Sequence, residues 1–262
     1  MQKKKNKLKI FLNSSQHIFD LGLSETIMLR NYANKNNWKF CSMIGGSESI
    51  RDLEESKNLF VDAFEFPLVE SSFSLLKIFS ALKRVFDNNL KSFSNKTLFI
   101  NIASIEGLNF LQEIEKVNIP DFINPQNLIF NFDRRMIIRS LNLNENDNFD
   151  VHSFEPEINL IVDKYIKLIK SRSYKYCISG GITEKSLNSF NNLSHYPDYI
   201  KAGIFTIEFE NPFFDDLFKT ILQFQCHEAK LINIMKKSLN YKHDYLNIRE
   251  LHMMKYLIDS IS

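Results

Sequence analysis

Several short polar clusters in this chain carry side chains able to do chemistry, and each closes an apolar run of strand length. Asp133-Arg134-Arg135 follow Leu128–Phe132, and Ala103-Ser104 follow Leu98–Ile102. Glu70-Ser71 end the run that starts at Val61, Gly45-Gly46-Ser47-Glu48 end Trp38–Ile44, and Ser179-Gly180-Gly181-Ile182-Thr183 end the run from Tyr174. Asp133 has the hard oxygen donors that Mg²⁺ wants, since that ion takes one or two carboxylates together with water and substrate oxygens. It serves equally well as half of a rim ion pair with Arg134 or Arg135. Glu70 is either a second acid or a helix cap. Paired glycines before a helix can present backbone N–H groups to an anion, helped by the helix dipole, or can simply make a tight turn. That choice applies to both Gly45-Gly46 and Gly180-Gly181. Asn13, Gln16, His17 and Thr206 complete the polar set.

Other chemistries lack their residues. The six histidines are scattered with no HxxxH or HExxH, which argues against zinc. There is no GxSxG elbow, and no cysteine stands next to a predicted base. No GxGxxG or GxxxxGK follows a strand.

The elements that must hold these clusters alternate. Strand-like runs start at Leu8, Trp38, Val61, Leu98, Leu128, Tyr174 and Tyr199, the last extending to Phe205. Helical spacing covers Leu23–Asn34, a segment from about Glu48 to Asn58, Phe73–Phe86, Ile105–Lys116, Ile158–Lys170 and Glu184–Leu193. In Phe73–Phe86 the apolar face is read as Phe73, Leu76, Ile78, Phe79, Leu82, Val85 and Phe86. Such alternation implies parallel strands with helices outside them. With no phosphate-binding turn after the first strand, a TIM-type (β/α)8 barrel is preferred, although only seven strands are visible. Its mouth would gather the polar tips. The Asn/Asp-rich stretch Leu141–Glu157 reads as a long loop over that mouth. Residues 1–210 would be the barrel of a single-domain protein. Residues 211–262 would be a C-terminal helical extension, packed on the barrel's own wall or on a neighbouring subunit.

Composition sets the bounds. The chain has 262 residues, 44% of them hydrophobic, enough for a packed core, and a formal net charge of +2 that predicts neither nucleic-acid nor membrane binding. The short basic start is a solvated tail rather than a signal peptide, and no apolar run is long enough to span a membrane. Cys41, Cys177 and Cys226 form no CxxC pair and read as reduced, mostly buried thiols of a cytoplasmic protein.

The run from Met43 to Phe86 resembles the HpcH/HpaI aldolase and citrate lyase β-subunit superfamily. Its likeness lies in Gly45-Gly46-Ser47-Glu48 and Pro67-Leu68-Val69-Glu70-Ser71. FINIASIEGLNFLQEI, NLIFNFDRR, CISGGITEKSLNSF and DYIKAGIF resemble the following strands in order, so the likeness spans most of residues 8–210. The resemblance implies a TIM barrel of metal-dependent carbon–carbon lyases acting on 2-oxo acids or acyl thioesters. Mg²⁺ or Mn²⁺ would steady the enolate. It places one metal ligand at Asp133. On an aldolase-type reading Glu70, Glu106 and Arg134 are catalytic candidates, with Glu106, Glu70 or Glu48 replacing a missing metal ligand, and Gly45, Gly46, Glu48, Gly180, Gly181 and Thr183 are contacts to a small anionic carbonyl substrate. It also implies a homo-oligomer or a complex with a paralogue. The chain departs from the pattern at key points. Ala103 stands where the family has its second metal carboxylate, Met43 where it has a basic residue, and Phe130-Asn131 where it has Gly-Arg. Ile200-Lys201-Ala202-Gly203-Ile204 replaces a strand that carries Glu and Arg. Two expectations follow: a divergent aldolase-type lyase, or a degenerate barrel kept as a ligand-binding or regulatory subunit.

Overall fold

A computed structural model describes residues 9–14, 23–46, 49–143, 151–182, 184–208, 219–224 and 226–231. Eight strands close a barrel in sequence order. They are β1 (Lys9–Ser14), β2 (Lys39–Met43), β3 (Ala63–Phe66), β4 (Thr97–Ile102), β5 (Leu128–Asp133), β6 (Lys175–Ser179), β7 (Tyr199–Ala202) and β8 (Phe205–Glu208). Around them lie α1 (Leu23–Lys35), α2 (Ile50–Asn58), α3 (Ser72–Phe86), α4 (Leu90–Phe93), α5 (Ile105–Leu111), α6 (Arg134–Ser140), α7 (Glu155–Ser171) and α8 (Glu184–Ser189).

The expected barrel is present, with one change at its closure. β1 to β7 are parallel neighbours, but β8 runs antiparallel to both β7 and β1. The run Tyr199–Phe205 is therefore two strands of a hairpin rather than one. Gly203, at φ +61°, makes the bend possible. No βα crossover lies between the last two strands, which is why strand-then-helix alternation reveals only seven.

Strands covered on both faces read as continuous apolar runs, and their period of two sorts the residues. Leu98, Ile100 and Ile102 face outward into the main core under the helices. Inward, Phe11, Cys41, Ala63, Phe99, Ile129, Cys177 and Tyr199 form a plug with one residue from each of the first seven strands. Phe99 meets Phe11 edge-on at 5.4 Å and Tyr199 at 5.7 Å.

On α3 the buried face is Leu75, Ile78, Phe79, Ala81, Leu82, Val85 and Phe86. This corrects the expected face, because Phe73 is 67% and Leu76 43% exposed. Ser71 caps the helix by accepting a hydrogen bond from Ser74 N, and the phase set from that start carries Leu75 inward instead. In the C-terminal region, helical residues 219–224 and 226–231 rest on the barrel wall. Phe224 packs against Phe205 and Trp38, with ring centroids 4.8 and 5.4 Å apart. Among the described residues no helix is long and apolar enough to cross a membrane. Cys41 and Cys177 are buried thiols, and Cys226 is exposed.

Candidate functional site

Two residues beyond the plug, the inward positions of β1 to β7 are Asn13, Met43, Glu65, Asn101, Asn131, Ser179 and Lys201. Barrel interiors are usually filled with branched apolar side chains at this depth, yet six of these seven are polar. Four of them, Lys201, Glu65, Asn101 and Asn131, form a connected network. Lys201 Nζ lies 2.5 and 2.6 Å from the two carboxylate oxygens of Glu65, across the barrel. Asn101 Nδ2 donates to Glu65 Oε1 at 2.8 Å, and Asn131 Nδ2 donates to Asn101 Oδ1 at 2.7 Å. Asn13 Nδ2 donates to Thr206 Oγ1 at 2.8 Å. The Oδ1 atoms of Asn13 and Asn131 are buried without a hydrogen-bond partner among the described residues. Burial by itself would push the Lys201 ammonium down. The Glu65 carboxylate outweighs that and holds it above the ordinary lysine value. Burial pushes the Cys41 and Cys177 thiols well up, which disfavours the reactive thiolate.

Above this layer sit the strand tips. Asp133 is the N-cap of α6 and accepts a hydrogen bond from Met136 N at 3.2 Å. Gly180 and Gly181 follow β6 with φ of +81° and +69°. A Cβ on Gly180 would sit 2.7 Å from Asp133 Oδ1, and one on Gly181 would sit 2.8 Å from a Val151 methyl. The glycines therefore allow this turn to press against Asp133 on one side and against Val151 on the other. Val151 belongs to the stretch expected to lie over the mouth; residues 144–150 of it lie outside the described ones.

Arg134 does not point into the mouth. It is fully buried. Its Nη2 donates to Gly180 O at 3.2 Å, Gly181 O at 3.0 Å and Ser186 Oγ at 3.0 Å, and Nη1 lies 3.2 Å from Glu155. A side chain taken for a catalytic one is a brace beneath the glycine turn. It occupies both turn carbonyls, which leaves the amides as what the turn can offer an anion.

The other predicted residues separate. Glu70 accepts from Ser104 Oγ at 2.6 Å, and Ser104 also caps α5 through Gly107 N. Glu70 thus stands at the rim beside Ala103, tethered to the neighbouring tip. Glu106 is exposed in the first turn of α5. The Gly45 N–H is taken by Asp52 Oδ2 at 2.7 Å, so a carboxylate already fills the place proposed for a bound anion. Glu48, Thr183 and His17 lie outside the described residues.

A resident Mg²⁺ or Mn²⁺ would need more than these donors. One oxygen of Asp133 caps a helix, Ala103 contributes none, and Glu70 serves Ser104. Among the described residues no group of three His, Cys, Asp or Glu side chains could hold a metal ion. The described donor set does not fit the ion.

Sequence reasoning missed Glu65, Asn101, Asn131 and Lys201, because it collected the tips and passed over the strands. The signal was there: each is a polar residue within an otherwise apolar strand, at an inward position.

No protein-family model matches the chain, and no curated protein matches its sequence. Its fold is similar to an HpcH/HpaI aldolase/citrate lyase family protein from Burkholderia cenocepacia J2315, with TM-score 0.52 and 7% identity over 72% of this chain and 76% of that one. An HpcH/HpaI aldolase from Desulfitobacterium hafniense DCB-2 has TM-score 0.53 and 9% identity, over 82% and 79% of the two chains. Haloferax volcanii malate synthase, in its magnesium/glyoxylate complex, has TM-score 0.55 and 7% identity, over 73% of this chain and 61% of that one. At these identities the likeness is one of fold. Two of these neighbours carry the name of the superfamily that the strand motifs resemble.

Proposed function

We propose that this barrel is an aldolase-type carbon–carbon lyase acting on a small 2-oxo acid or a related acyl thioester. One observation carries the reading: a connected, buried polar layer, Lys201–Glu65–Asn101–Asn131, lies directly under a mouth formed by Asp133 and the Gly180-Gly181 turn. Polar groups buried at this depth need a purpose that an apolar filling would not serve. The turn amides suit the carboxylate of such an acid. Donors such as Asn131 and Lys201 suit its carbonyl oxygen. Among the neighbours in fold, one is named an aldolase/citrate lyase family protein and one is a malate synthase in complex with glyoxylate, itself a small 2-oxo acid.

The test is exchange of the C3 protons of pyruvate in D₂O, followed by proton NMR, with and without Mg²⁺ or Mn²⁺. Enolate or enamine formation washes the methyl signal out. A signal that persists at millimolar protein over a day, under every metal condition, would count against catalysis.

A second reading has its own observation. Ala103 supplies no donor where a metal-dependent lyase would use one, and one oxygen of Asp133 is engaged in capping a helix. On that reading the barrel binds an oxo acid as a ligand-binding or regulatory subunit beside an active paralogue. It predicts thermal stabilisation by pyruvate or oxalate without proton exchange. Self-association or assembly with a paralogue is part of both readings and is read by light scattering on a sizing column.

A further inference from the structure

The Lys201–Glu65 pair occupies the centre of the barrel, and its placement is more specific than stability requires. A buried ion pair gains little over a well-packed apolar pair of similar volume. The two partners are unequally covered: the Lys201 side chain is 12% exposed, the Glu65 side chain 2%. Of the two side chains, that of Lys201 therefore has the greater contact with the outside. Register points the same way. Lys201 is one residue past the Ile178–Ile200 pair, as is Ser179, and Ser179 pairs with Asp133. Lys201 therefore stands in the hydrogen-bonded row that ends at the mouth. The Oδ1 atoms of Asn13 and Asn131, both on buried side chains, are acceptors without a partner among the described residues. A group carrying O–H or N–H donors would satisfy them.

We propose that Lys201 is a covalent catalytic residue, its Nζ forming an imine with the carbonyl carbon of a small 2-oxo acid, and that Glu65 is the base that takes and returns its proton. The proposal rests on the carbonyl-acting reading above and adds the group that performs it. In the resting pair Lys201 is an ammonium. When a substrate carbonyl reaches the pair, the proton crosses the short hydrogen bond from Lys201 to Glu65. The freed amine adds its lone pair to the carbonyl carbon. The C=O π pair moves to oxygen, which takes the proton back from Glu65, giving a carbinolamine. Its C–O bond then breaks and water departs with one proton from nitrogen. The sum is ammonium plus carbonyl giving protonated imine plus water, with Glu65 again a carboxylate. The protonated imine next accepts an electron pair from an adjacent carbon. For pyruvate, C3–H breaks, the proton goes to Glu65, and the pair forms a neutral enamine. No oxidant, reductant or metal enters the balance.

This accounts for Ala103. An enolate on a hard cation needs carboxylates around that cation. A protonated imine carries its positive charge on Lys201 itself, so a lost metal carboxylate costs the reaction nothing. It also accounts for a lysine where the resembled family has Glu and Arg.

The experiment is reductive trapping on the full-length protein. Pyruvate, and glyoxylate in a parallel arm, is added with cyanoborohydride, and modified peptides are mapped by mass spectrometry while C3 exchange is followed on the same preparation. We expect one reduced adduct on Lys201, formed ahead of any on the exposed Lys83, and exchange that persists in EDTA. Lys201→Arg should lose both adduct and exchange. Glu65→Gln should slow labelling by about 100-fold, the usual worth of a positioned base. Adducts spread only over surface lysines would overturn the proposal. Exchange without a Lys201 adduct would overturn the imine and leave the carbonyl reading standing, and absence of both would end both. The decisive measurement is made on the unaltered chain, so a poorly folding variant does not blunt it.

Discussion

Arg134→Met tests whether the glycine turn owes its shape to the buried guanidinium. The Arg134 side chain is 1% exposed and that of Glu155 10%. One guanidinium nitrogen serves two turn carbonyls and a hydroxyl, and another meets the carboxylate. Methionine keeps much of the length and contact with Phe190, whose ring centroid lies 5.0 Å from Arg134 Cζ, so packing changes little. What is lost is the charge and the fork. Removing one partner of a buried ion pair costs about 3–5 kcal/mol. Because Glu155 keeps some exposure, the lower end applies, and about 3 kcal/mol is expected. A domain with about 5–15 kcal/mol of stability remains folded after such a loss. Urea unfolding followed by circular dichroism should therefore show a lower midpoint with an unchanged slope. Arg134→Lys keeps the charge without the fork and should fall between. A cycle with Glu155→Gln should show strong coupling between the two sites. A loss below about 1 kcal/mol, the worth of an exposed pair, would refute the bracing role and return Arg134 to the mouth.

Gly180→Ala should cost about 2–3 kcal/mol, since an L side chain at φ +81° is strained and its Cβ would meet Asp133 Oδ1 and Arg135 N at 2.7 Å; differential scanning calorimetry measures it. Glu65→Leu or Lys201→Met alone should each destabilise by about 3–5 kcal/mol, and the double variant should recover most of the loss, because the apolar pair needs no desolvation offset. Urea midpoints of all three proteins decide it. At the base of the barrel, burial alone would raise the Glu208 carboxyl. Hydrogen bonds from Lys175 and Tyr199 and the charges of Lys9 and Lys175 outweigh it and hold it below the ordinary value. A depressed folded-state value gives stability that is complete above the unfolded glutamate pKa of about 4.3 and is lost as pH falls through the folded one. Acid unfolding of Glu208→Gln should accordingly show a flatter limb below about pH 4 than the parent.

The barrel was legible because its signal is local and repeated. A doubly covered strand must be apolar along its whole length, and a short polar cluster must end it, so strands and tips stand out one after another. β8 was hidden for the same reason in reverse: its hairpin with β7 has no helix to announce it, and Gly203 alone marks the turn. The rim residues were found as types but not as roles. Asp133, Arg134 and Glu70 are adjacent to strand ends in any barrel register. Only the fold shows that Asp133 caps a helix, that Glu70 is tethered by Ser104, and that Arg134 turns inward to Glu155, twenty-one residues away.

What the sequence determined by itself is the alternation of buried strands and covering helices, with polar ends gathered at one mouth and Ala103 beside them. What the tertiary structure decided is which polar residues meet. Glu65 and Lys201 are 136 residues apart and lie on opposite walls of the barrel. Each stands out locally as a polar residue in an apolar strand, but nothing local says which partner it meets. Closure of the sheet brings two inward positions of the same depth across a narrow interior, and at that separation in a dry core their charges must pair.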